Sequence, residues 1–234
     1  MSKGIFITGT DTEVGKTYIT AMIIKELRDN GFNATYFKGV LSGVIEENGE
    51  FIPEDAKFVC NKSNLYEPYK NIVSYTLKTP VSPHLACRLE DVNISLDKIK
   101  DDFLKLKNKY DYIVVEGSGG IVCPIKIEEN EQILLEDIIK TLKLPVLIIA
   151  RAGLGTINHT CLTINYLKSK GIKVKGIIIN NYDNTNLVHK DNIKVIQKLT
   201  KVKIISKIPY IDEKNINIDG YINFEKIISL MEVL

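Results

Sequence analysis

A short apolar run, Ile5-Phe6-Ile7, leads into Gly9-Thr10-Asp11-Thr12-Glu13-Val14-Gly15-Lys16-Thr17. A strand that stops in a glycine-rich turn and hands over to a helix aims several backbone N–H groups at one point. Those donors, with the positive end of the helix dipole, make a seat for phosphate oxygens. From that seat Lys16 can reach the β- and γ-phosphates, and the Thr17 hydroxyl can sit on Mg²⁺. The pattern is a phosphate-binding loop, so the expected ligand is a nucleoside triphosphate. Its spacing departs from the common form, because five residues rather than four separate Gly9 from Gly15.

Two more segments bring charge to the same place. Tyr112-Ile113-Val114-Val115-Glu116-Gly117 reads as an apolar strand ending in a carboxylate, followed by Ser118-Gly119-Gly120. In parallel sheets the ligand crevice lies beyond the carboxyl ends of the strands, so Glu116 is placed to bind Mg²⁺ directly or through water. The neighbouring glycines would let the backbone approach a ligand closely. Lys38, in Lys38-Gly39-Val40-Leu41-Ser42-Gly43, follows the second strand and could neutralise charge developing on a transferring phosphoryl group. Asp55 is a candidate third metal ligand. His84 invites an acid–base role, but nothing pairs it with a nucleophile, and packing at a helix start is the expectation.

The elements that must hold these residues show as apolar runs at 5–8, 34–37, 112–115, 146–150, 176–179 and 203–205. Helix-like stretches lie at 17–30, 96–109, 132–142, 156–170, 192–200 and 224–234. Val/Ile-rich runs alternating with amphipathic helices indicate one α/β domain over residues 1–234, with a mostly parallel sheet covered on both faces. The stretch 42–88 is the least regular and reads as long loops at the mouth of the sheet. The Asn/Ile/Lys-rich stretch 215–224 carries no functional signal.

A formal charge of +2 gives no sequence-independent grip on nucleic acid, and basic clusters such as 198–203 read as solvated faces. Cys60, Cys87, Cys123 and Cys161 lie far apart with no metal or redox spacing, as in a reducing cytoplasm. The first strand follows within a few residues of Met1, leaving no room for a signal peptide. No apolar run is long enough to span a bilayer.

Taken together, the segments resemble the dethiobiotin synthetase family over nearly the whole length. The resemblance rests on the phosphate loop, Lys38-x-Val40-x-Ser42-Gly43, Thr79-Pro80-x-Ser82-Pro83-His84 and Val115-Glu116-Gly117-x-Gly119-Gly120. It continues through Gly155-x-Ile157-Asn158-His159 and Ile208-Pro209-Tyr210. The long loop is the normal form in that family. Gly39 stands where the family usually has Pro, which predicts a more flexible lysine loop. Asn181 stands where a family member can carry Asp.

The resemblance implies a Mg²⁺ site of Thr17, Asp55 and Glu116, and ATP along Glu13, Val14, Gly15, Lys16, Thr17 and Tyr18. It extends the nucleotide site to Gly117, Ser118 and Gly119, and places the adenine between Asn180, Asn181 and the turn Pro209-Tyr210-Ile211. The implied substrate, 7,8-diaminononanoate, meets Thr12, Lys38, Ser42 and Gly119. Its tail carboxylate reaches the Leu154–Asn158 segment of the second subunit in a homodimer. The implied reaction joins the diamine, CO₂ (or bicarbonate) and ATP into dethiobiotin, as a carbon–nitrogen-forming cyclo-ligase with Lys16 and Lys38 as catalytic cations.

Three other readings compete. A partition-type ATPase switch typically carries an extra lysine early in the phosphate loop, where this chain has Thr10-Asp11-Thr12. Amide-forming ligases of the same fold usually carry a glutaminase domain. A nucleotide kinase would show an arginine-rich lid, whereas the arginines here are Arg28, Arg88 and Arg151.

Overall fold

Strands with no polar face must be covered on both sides, and the central strands are. Ile5, Ile7, Val114, Leu147, Ile148 and Ile178 are all fully buried. The computed structural model describes residues 1–211 and 220–234. Positions 215–219 of the Asn-rich stretch therefore lie outside the described residues.

The chain opens with β1 (Lys3–Gly9), α1 (Lys16–Asp29) and β2 (Ala34–Ser42). A hairpin of β3 (Val44–Glu47) and β4 (Glu50–Pro53) follows, then α2 (Glu54–Ser63), the single turn α3 (Tyr69–Ile72), β5 (Val73–Leu77) and α4 (Pro83–Glu90). Next come α5 (Leu96–Lys107), β6 (Tyr112–Gly120), a second hairpin of β7 (Pro124–Ile127) and β8 (Gln132–Leu134), and α6 (Leu135–Leu142). The remainder holds β9 (Val146–Arg151), α7 (Thr156–Ser169), β10 (Val174–Asn180), α8 (Leu187–Thr200), β11 (Ile204–Lys207), α9 (Phe224–Leu230) and β12 (Glu232–Val233).

Among the described residues eight strands form the main sheet, in the order β11-β10-β9-β1-β6-β2-β5, with β12 antiparallel to the start of β1. The other pairings in it are parallel. From β1 the chain crosses past the position of β6 to β2; from β6 it returns to the other side of β1 to form β9. That reversal is the switch point at which such sheets open a crevice. It gathers the carboxyl ends of β1, β6 and β2, which carry the phosphate loop, Glu116 and Lys38.

All six expected strands are present. The stretch 42–88 is more ordered than expected and contains β3, β4, β5, α2, α3 and α4. β5 is an edge strand with partly exposed positions, so it lacks a continuous apolar run. The helix expected at 132–142 begins only at Leu135, because 132–134 pairs with β7 and the Asp137 carboxylate accepts the Leu134 N–H at 2.9 Å. α8 starts at Leu187, earlier than expected, where the Asn186 side chain accepts from the N–H groups of Val188 and His189. The tail helix stops at Leu230, since 232–233 pairs with β1.

The flexible lysine loop is corrected outright. Gly39 lies inside β2 without a positive φ, and a Cβ there would meet Ile99 at 3.3 Å and Ile138 at 3.5 Å. It is a packing glycine under α5 and α6.

The four cysteines are unpaired, with Cys60, Cys87 and Cys123 buried. His84 follows Pro83 in the first turn of α4, half-buried, as expected for packing at a helix start. Among the described residues no helix is long and apolar enough to cross a membrane.

Candidate nucleotide and metal site

The phosphate loop spans the gap between β1 and α1, and its path depends on two glycines. Gly15 caps α1 with φ +94°, and a Cβ there would stand 2.3 Å from the Asn180 amide nitrogen. A Cβ on Gly9 would lie 2.7 Å from both the Asp11 carbonyl oxygen and a Val14 methyl. Asp11 folds the loop on itself. Its carboxylate accepts the Thr12 N–H at 2.8 Å, and its carbonyl accepts Lys16 Nζ at 3.0 Å.

Two longer reaches pin the loop. Asn180 Nδ2 donates to the Val14 carbonyl at 3.0 Å, and Arg151 Nη2 donates to the Thr12 carbonyl at 3.1 Å. Gly15→Ala should therefore lower ATP affinity about 5–30-fold, since the left-handed φ alone costs a non-glycine residue about 1–2 kcal/mol. Calorimetric ATP binding equal to that of the unaltered protein would contradict this role.

Behind the loop lies a charged cluster in which Lys38 and Glu116 are buried and Asp55 is partly exposed. Lys38 Nζ donates to Asp55 Oδ2 at 2.5 Å and to Glu116 Oε1 at 3.0 Å. Thr17 Oγ1 donates toward the same carboxylates, at 2.8 Å to Glu116 Oε1 and 3.2 Å to Asp55 Oδ1. Burial opposes the charge on Lys38, but Glu116 and Asp55 outweigh it and hold the ammonium well above its ordinary pKa. Burial also works against the Asp55 carboxylate, yet Lys38 and Thr17 hold its pKa below the usual range. Glu116 goes the other way. Full burial, with Asp55 adding to it, raises its pKa despite Lys38. Lys16 is lowered by burial, with Glu116 opposing.

Glu116 Oε2 is buried with no hydrogen-bond partner. Two carboxylates, one of them with this spare oxygen, and one hydroxyl are hard donors of the kind Mg²⁺ takes, and the ion commonly completes its shell with phosphate and water. The described residues contain no group of three or more His, Cys, Asp or Glu that could hold a metal by itself.

A cavity of about 920 Å³ opens over this cluster. It is lined by Thr12, Glu13, Gly15, Lys16, Thr17, Tyr18, Lys38, Ser42, Asp55, Glu116, Ser118 and Gly119, so most of the expected site residues converge on one space. Glu54, Phe58, Lys62, Pro80 and Val81 line it as well and were not anticipated. A signal was available for two of them, Phe58 and Lys62. Asp55, Phe58 and Lys62 recur at helical spacing on α2, but that helix lies in a stretch read as loop.

Other expected positions stand outside the cavity lining. Val14 is a core residue. Gly117 lies within β6, which runs on through Gly120, and a Cβ there would meet Phe6 at 2.8 Å and Leu135 at 3.0 Å, so this glycine serves packing. Ser118 both lines the cavity and donates to the Val40 carbonyl at 2.6 Å, holding β6 to β2.

Asn180 and Asn181 sit beside the 208–211 turn, joined to it by Ile208 N–H to Ile179 O and Tyr182 N–H to Ile208 O, both 2.8 Å. Within that group Asn180 is buried beneath the phosphate loop, while Tyr210 is exposed. Leu154 and Asn158 are exposed around the start of α7. Arg28 donates to the carbonyls of Ala34, Ser63 and Asn64, a structural role that takes it out of any kinase-like lid.

Fold and loop together define a phosphate-loop nucleotide-binding protein of the α/β class. Residues 3–215 match the AAA domain family. Among solved structures, a ParA family ATPase from Chlorobium tepidum aligns with a TM-score of 0.56 at 16% identity, covering 92% of this chain and 87% of that one. The MinC:MinD cell division complex of Aquifex aeolicus gives a TM-score of 0.55 at 18% identity, covering 89% and 81%. At such identities the likeness extends to the fold alone.

The sequence relatives are far more similar. The ATP-dependent dethiobiotin synthetase of Clostridium novyi is 54% identical over 92% of this chain and 90% of its own length. That of Clostridium perfringens is 50% identical over 91% and 93%. The chain belongs to the ATP-dependent dethiobiotin synthetase family.

Proposed function

We propose that this protein converts 7,8-diaminononanoate, CO₂ and ATP into dethiobiotin, ADP and phosphate. The observation that carries this reading is the 54% identity to a protein of that activity, spread over 92% of the chain. One amine of the substrate takes up CO₂ as a carbamate, and a carbamate oxygen attacks the γ-phosphorus with loss of ADP. The second amine then attacks the carbamate carbon, phosphate leaves, and the ureido ring closes.

The chain's residues contribute charge, position and exclusion of water rather than covalent chemistry. The phosphate loop, Glu13 to Tyr18, seats the triphosphate, with Lys16 over its outer end. Thr12, Ser42 and Gly119 hold the diamine against the loop, and Lys38 stabilises charge on the transferring phosphoryl group. Thr17, Asp55 and Glu116 would hold Mg²⁺, which supplies neutralisation of the β- and γ-phosphate oxygens when bound. Asn180, Asn181 and the 209–211 turn flank the adenine.

The substrate tail carboxylate is assigned to the start of α7 in a second copy of the chain, where Leu154 and Asn158 stand exposed and helix N–H groups are free for an anion. The cysteines fit a cytoplasmic setting.

An omission series tests this directly. Phosphate release should require both the diamine and bicarbonate, with dethiobiotin formed in equal amount. Strong ATP turnover without the diamine, and no ring product by mass spectrometry, would instead favour a conformational ATPase of the partition type.

A further inference from the structure

The proposed reaction sends Lys38 to the γ-phosphoryl group, yet its ammonium stands elsewhere in this structure. It lies between Asp55 and Glu116, bonded to both, and these carboxylates share the Thr17 hydroxyl. Two of the three side chains assigned to a divalent cation thus already hold a monovalent one. The lysine and glutamate side chains are 5% and 1% exposed. A charge so placed is not given up to water without a replacement, because an uncompensated buried carboxylate is costly. Lys38 and Thr17 both bond to Glu116 Oε1, which leaves Oε2, beside the buried Tyr36 side chain, for a smaller cation of double charge to use.

We infer that Lys38 is the resident counter-ion of the metal site: its ammonium holds the place between Asp55 and Glu116 until a divalent cation displaces it into the cavity. The inference rests on the metal assignment proposed above. Metal loading and release of the lysine toward the phosphoryl group then become one event. Lys16 is the contrasting cation, since it is bonded to the Asp11 carbonyl and not to either carboxylate.

Displacement has a sign that simple charge neutralisation near phosphate lacks. Removing the competitor should tighten metal binding in the absence of nucleotide. Mn²⁺ titration of the full-length protein, followed by electron paramagnetic resonance, reads this out. Lys38→Met should bind Mn²⁺ about tenfold or more tightly than the unaltered protein. Lys38→Arg, which keeps the cation, should change affinity by less than about threefold, and Lys16→Met, which removes a nearby charge that is not bonded to either carboxylate, should gain clearly less than Lys38→Met. Adding Glu116→Gln to Lys38→Met should abolish the gain.

No gain in Lys38→Met, or an equal gain in Lys16→Met, overturns the inference. Mn²⁺ binding by the ATP-loaded Glu116→Gln variant separates the two ways to fail. If that affinity is lost, the metal site stands and only the counter-ion role falls. If it is unchanged, the metal assignment falls as well. Should Lys38→Met not fold, nitrogen-15 spectra of the unaltered protein give the same test. A protected Lys38 ammonium signal should vanish when Mg²⁺ and a non-hydrolysable ATP analogue are added, and its persistence would overturn the inference.

Discussion

Lys38→Gln should lower turnover by roughly 10²-fold or more, the loss expected when one preorganised electrostatic partner is removed. Lys16 sits in the phosphate loop and helps to hold ATP in the ground state. Lys38 comes from β2 and in the nucleotide-free protein is engaged by Asp55 and Glu116. Its contribution to the reaction therefore belongs to the stage at which charge moves onto the γ-phosphoryl oxygens. An interaction stronger in the transition state raises turnover more than it tightens substrate binding. ATP affinity measured without divalent metal should change little in Lys38→Gln, whereas Lys16→Gln should damage both. Steady-state kinetics with calorimetric ATP affinities separate the two lysines. Near-normal turnover in Lys38→Gln would leave neutralisation to Lys16 and the metal.

Glu116→Gln should weaken Mg²⁺-ATP binding by about 10–100-fold, the range found when a group that ligates or orients a metal is changed. The amide keeps the side chain's shape and can still accept from Thr17, but it removes the negative charge at the centre of the cluster. Diamine binding measured without nucleotide should weaken far less, because of the residues assigned to the diamine only Lys38 bonds to Glu116. Equal losses in the two titrations would indicate a disturbed β6 rather than a lost ligand.

How far the sequence could be read differs between elements for physical reasons. The central strands were plain because burial on both faces leaves an unbroken apolar run, as in Ile113-Val114-Val115, and the loop glycines were plain because no other residue fits there. Lys38 and Glu116 could be placed near the loop by their positions at strand ends. Sequence could not show that Lys38 bonds to the carboxylates, because that pairing joins positions 38, 55 and 116 across three elements.

β5 and α2 were hidden by mixed polarity, and with α2 went the cavity-lining face of Phe58 and Lys62. Gly39, standing where the family usually has Pro, suggested a looser lysine loop, whereas it packs inside β2 against Ile99; Gly117 likewise makes room for Phe6. Arg151 gave no signal, because its bond to the Thr12 carbonyl is to backbone and spans 139 positions.

The most direct test of the proposed activity follows the carbon atom of CO₂. Purified protein would be supplied with Mg²⁺, ATP, 7,8-diaminononanoate and isotopically labelled bicarbonate, and the products analysed by mass spectrometry alongside phosphate release. The predicted result is dethiobiotin carrying the label in its ureido carbonyl, in equal amount to the phosphate formed. Phosphate release with no labelled ring product would contradict ring closure as the function of this site.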